Sequence, residues 1–137
     1  MPARGLALAA LLAIGTAVGV AQSVTSQSLL TASETIVGEP IAYPATGTPV
    51  VTSVIVTIAP GQRTGAHRHG VPMAAYILEG ELTVDYGEHG RKTYSQGQSF
   101  LEAMDVNHVG MNTGSGPVRI LSIYMGAEGS QNVLPPR

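Results

Sequence analysis

The sequence predicts an all-β fold in a single domain, on three observations. A chain of 137 residues with 44% hydrophobic and 12% charged side chains has the size and composition of one compact domain. Beyond its first 21 residues no stretch keeps a helical period, whereas short alternating or β-branched runs recur with turn residues between them. The apolar residues available for a core are Val, Ile, Leu, Met and Tyr, with no tryptophan and one phenylalanine, a set suited to pleated, half-buried surfaces. Runs this short, punctuated about every eight to twelve residues, suggest a sandwich or a small barrel.

Taken in order, residues 1–21 carry one basic side chain, Arg4, then an apolar stretch from Leu6 to Val20 that ends in small residues. This is the pattern of a secretory signal cleaved after Ala21, where Gly19 and Ala21 make a small-x-small site. A retained membrane anchor is the second reading, although about fifteen apolar residues are short for a hydrocarbon core. Residues 22–47 form an N-terminal arm with edge strands, including a short strand in TIVGEPIAYP broken by Gly38 and Pro40. The sandwich or barrel itself takes up residues 48–127. Its first long strand runs from Val50 to Ile58 and turns at Pro60-Gly61. MAAYIL and ELTVDYG follow as strands on either side of a corner at Glu79-Gly80, where glycine takes φ > 0 without steric penalty. GEHG closes the next hairpin into RKTYS, a turn at Gly97 leads to SFLEA, and VRILSIYM, from Val118 to Met125, is the last strand. The tail, residues 128–137, should be mobile.

Composition excludes several functions. There is no cysteine, hence no disulfide, thiolate ligand or cysteine nucleophile. Loss of the leader with Arg4 leaves six basic against nine acidic residues, a formal charge of −3, and nothing basic remains to attract nucleic acid or anionic lipid. Gly110, Gly114 and Gly116 lack the Lys-Ser/Thr of a phosphate loop, and no Gly-x-Ser-x-Gly elbow is present.

The remaining chemistry lies in GAHRHG. In an extended segment residues i and i+2 share a face, so His67 and His69 present both imidazoles to one side and Arg68 points away. An isolated His-x-His is as readily a solvated loop pair. The pair gains weight from GQSFLEAMDVNHVGMN, where Gly97, His108 and Asn112 stand at spacings of eleven and four. His89, between Glu88 and Gly90, reads as a solvated turn residue, and Asn112 as a residue that ties down its own loop.

On these residues the chain resembles a single-domain cupin. The first cupin motif, Gly, five residues, His-x-His, three or four residues, Glu, six residues, Gly, is met by Gly61, His67, His69 and Gly80, with Met73 in place of the glutamate. The second is met by Gly97, His108 and Asn112, with Ala103 and Asp105 replacing its proline and glycine. The resemblance implies a jelly-roll β-barrel in which His67, His69 and His108 converge on a divalent transition metal (Fe, Mn, Zn, Ni or Cu). It also implies pairing as a homodimer, in line with a limited core that has no cysteine staples.

Met73 is a packing residue or, less readily, a thioether contact to the metal. Glu102, the acid just upstream of His108, is either a replacement ligand and general base or an exposed strand carboxylate. Two functions stay open. One is a secreted or periplasmic metalloenzyme, an oxygenase, isomerase or lyase acting on a small molecule; the other is a non-catalytic protein that binds a metal or small ligand in the same pocket.

Overall fold

The structure, a computed structural model, describes residues 24–137; the leader expected over residues 1–21 lies outside them. Among the described residues seven strands are formed: β1 (Pro49–Ile58), β2 (Met73–Glu79), β3 (Glu81–Asp85), β4 (Arg91–Ser95), β5 (Ser99–Leu101), β6 (Val109–Met111) and β7 (Val118–Ala127). They make a four-stranded sheet in the order β1-β7-β2-β5 and a three-stranded sheet in the order β4-β3-β6, every pair antiparallel. The all-β jelly-roll expectation is met.

Alternation along the strands puts one apolar set between the sheets. In β7, Val118, Ile120, Ser122 and Tyr124 are buried while Arg119 is exposed. Their cross-strand neighbours, Val56 and Ile77 beside Ile120 and Ala75 beside Ser122, point the same way. Ile77, Val84 and Tyr86 sit at the centre of the core. Burying side chains of this size contributes on the order of 1.5–3 kcal/mol each.

The corner at Gly80 has φ 78° and passes the chain from one sheet to the other, since β2 pairs with β5 and β7, and β3 with β4 and β6. A Cβ there would collide with the Pro117 carbonyl, so glycine is required by space as well as by φ. The β3–β4 hairpin closes through the 3₁₀ turn Gly87–His89.

Two expectations are corrected. Among its described residues the N-terminal arm carries no strand: residues 35–39 fold into a turn in which Thr35 N donates to Glu39 O at 2.7 Å and Gly38 N to Thr35 O at 2.9 Å. That leaves only an isolated bridge between Glu34 and Pro40. Gly38, with φ 85°, bends the chain back before a ladder can grow. The tail expected to be mobile is instead seated on the histidine loop. Leu134 and Arg68 exchange backbone hydrogen bonds of 3.2 and 2.8 Å, and Arg68 Nε donates to Pro135 O at 3.1 Å.

Candidate metal centre

His67 and His69 lie in the loop that enters β2, and His108 immediately precedes β6. They meet because the loop is stitched to the strand: His67 N donates to His108 O at 3.1 Å and His108 N to His67 O at 2.9 Å. His69 N donates in turn to Met104 O at 2.9 Å. This extended segment gives the i, i+2 geometry expected from sequence. Both imidazoles face the space between the sheets, and Arg68 turns outward to Asp105, 3.4 Å away.

The three rings lie with centroids 4.4 to 5.1 Å apart, and one ring nitrogen from each falls within 4.8 Å of the others. In each ring Nδ1 bonds to a backbone carbonyl: Gly65 O for His67 at 2.9 Å, Asn132 O for His69 at 3.0 Å, Val106 O for His108 at 3.0 Å. A carbonyl only accepts, so Nδ1 carries the proton in all three and Nε2 keeps its lone pair. Nε2 of His69 and of His108 is buried with no partner. Such atoms are costly to bury alone, and three lone pairs aimed at one point fit a divalent transition metal. Burial lowers the basicity of all three rings, that of His69 to about 4, which keeps them neutral at physiological pH as ligation requires.

Glu102 is not the exposed strand carboxylate of one sequence reading. It lies just past β5, 4% exposed, with Oε2 3.8 Å from His108 Nε2 and Oε1 accepting from Ala103 N at 2.8 Å. Burial lifts its pKa to about 7, the Tyr86 hydroxyl and the Ala103 N–H opposing a larger rise. Met73 is buried on the inward face of β2 opposite Tyr124 and lines the cavity beside the histidines. His89 stands apart in its exposed turn.

Comparison with known protein families matches residues 54–124 to the cupin domain. The chain belongs to the cupin-domain family. Comparison of this cupin with curated proteins finds no match. Among solved structures it is similar to a protein of Bacillus halodurans, with 20% identity, TM-score 0.52, and coverage of 62% of this chain and 69% of the other. It is also similar to a Klebsiella pneumoniae protein with a double-stranded β-helix domain (19% identity, TM-score 0.53, 71% and 87% covered). A third likeness is to the oxalate decarboxylase of Lactobacillus farciminis in its formate complex (20%, TM-score 0.52), over 58% of this cupin but a quarter (25%) of the decarboxylase. These likenesses concern the fold.

Two contributors to the site escape sequence reasoning. The Asn132 carbonyl, from the tail, orients His69, and a main-chain oxygen leaves no mark in a sequence. Glu39, from the turn before β1, accepts hydrogen bonds from Met104 N, Asp105 N and Val106 N at 2.8, 2.8 and 3.1 Å, and from Thr35 Oγ1 at 3.0 Å. Burial works against its charge, yet these donors hold its pKa below the usual value. Glu39 thus fixes the loop where Ala103 and Asp105 replace the motif's proline and glycine, and through Val106 O it fixes His108.

Proposed function

We propose that this cupin is an exported small-molecule metalloenzyme of the oxygenase, isomerase or lyase type, with His67, His69 and His108 holding one divalent transition metal, Fe, Mn, Zn, Ni or Cu. The observation that carries this reading is the set of three imidazoles whose Nδ1 atoms are all tied to backbone carbonyls while the opposite nitrogens converge. Export rests on the apolar leader that ends at Ala21.

When bound, the metal supplies a Lewis acid or redox centre at one end of the cavity. The chain's own residues do the rest. The apolar walls exclude water from a bound small molecule. Glu102, beside His108, accepts a proton from that molecule at Oε2 and returns it; burial raises its basicity, and the charge of the bound metal would lower it again. One observation favours the non-catalytic alternative, a metal or small-ligand binding protein: Met73, a poor ligand for hard ions, stands where the motif has its glutamate.

The test is elemental analysis of protein from its native compartment, followed by a screen for oxygen uptake and turnover on small acids. His108→Ala should cut metal occupancy at least tenfold and remove the metal-dependent part of the thermal stability, about 2.7 kcal/mol when metal is present at a hundred times its dissociation constant. Full occupancy in His108→Ala would refute the shared site. Metal binding without turnover, unchanged in Glu102→Gln, would leave the binding reading.

A further inference from the structure

We infer that the ligand of this site is a compact monoanion: one acidic donor group for the metal and an apolar body of roughly five to seven carbons, with no second charge. The inference rests on the metal reading above and adds what the rest of the cavity selects.

The cavity next to the histidines is about 190 Å³. An enclosed apolar space of about 150 Å³ accommodates benzene; this cavity is partly open to solvent, so the room inside it is that of a ring or short branched chain as the buried part of a ligand. Past the histidines and Glu102 the walls are Ile58, Leu82, Val84, Phe100 and Ile120, all buried. The other polar side chains along the walls are Thr64, Ser122 and Tyr124, and among the described residues no lysine or arginine lines the cavity.

The polar end and the apolar end ask for different parts of one molecule. A divalent cation held by three neutral imidazoles carries net positive charge and attracts an anionic donor. The ion's remaining charge does not help a second carboxylate lodged in the apolar part of the cavity, against side chains such as Val84 and Phe100, where among the described residues no lysine or arginine lines the wall. An unpaired buried charge is strongly disfavoured. The same walls reward apolar carbon with the transfer free energy of each buried methylene. Extended dicarboxylates are therefore rejected by composition rather than by size.

The test uses Co(II)-loaded full-length protein and two probes of equal chain length, pentanoate and glutarate, which differ in the second terminal carboxylate. Binding is read from the visible Co(II) spectrum, with total Co(II) measured at each point to exclude extraction of the metal. Pentanoate should bind at least tenfold more tightly than glutarate. In Val56→Arg, a half-buried wall position on edge strand β1 from which a long side chain can reach both cavity and solvent, the ratio should narrow at least threefold. With Co(II) bound at the histidines, equal affinity for the two probes, or no spectral response to pentanoate, overturns this inference and leaves the metal site standing. Failure of Co(II) to bind overturns the metal reading itself and this inference with it.

Discussion

At the scale of single residues the site is a matter of proton placement. Each histidine spends its Nδ1 hydrogen on a carbonyl, and burial keeps each ring neutral. The acid response of the metal-free protein follows with a definite sign. A histidine with a lowered folded pKa contributes stability above its unfolded value of about 6.5 that is lost as pH falls, whereas Glu102, raised to about 7, contributes stability in acid that is lost as pH rises toward 7. For His69, with its pKa near 4, going from pH 7 to pH 5 costs about 2 kcal/mol, and Glu102 returns about as much. Urea unfolding at the two pH values should therefore show a steeper acid loss in Glu102→Gln and a shallower one in His69→Gln; equal slopes in both variants and the wild type would contradict the assignment. The three histidines were legible in the sequence because a two-residue spacing encodes a shared face. Glu102 was legible only as a candidate, since its inward turn depends on β5 ending at Leu101.

At the scale of elements, the long strands announce themselves through their alternating pattern, and β1, β2 and β7 fall within two residues of their expected bounds. The segments that fail to announce themselves hold the site together by contacts remote in sequence. Glu39 reaches the loop before His108 across more than sixty positions, and nothing in GEP signals it. The tail is seated by Arg68 and by the absence of a side chain at Gly70, where a Cβ would run into the Gln131 carbonyl and press on Leu134. Gly70→Ala should displace the tail, free the His69 ring and lower Co(II) affinity about tenfold, the usual scale for losing a ligand's orienting partner, while the urea midpoint of the metal-free protein moves little. Gly116→Ala, at a position with open space around it, is the control. Equal effects of the two substitutions would show that the tail does not orient His69.

At the scale of the whole molecule, the outer face of the four-stranded sheet carries an apolar patch. Val51 and Ile55, 68% and 52% exposed, share it with Leu121, Ile123, Tyr76 and Leu78, and Leu29 and Leu30 of the arm lie over part of it. Such a face beside an uncovered edge strand is a site for association, and we propose that it joins two copies. Light scattering on the chain from Gln22 should give twice the monomer mass, and Val51→Lys with Ile55→Lys should halve it; a monodisperse wild-type monomer at micromolar concentration would end the proposal. The seating of the tail also ties the end of the chain to the metal centre. Asn132 gives its carbonyl to His69, and Leu134 is hydrogen-bonded to Arg68 between the two histidines of the loop. A change confined to residues 131–135 would therefore reach the ligand set while leaving every strand of both sheets as it is.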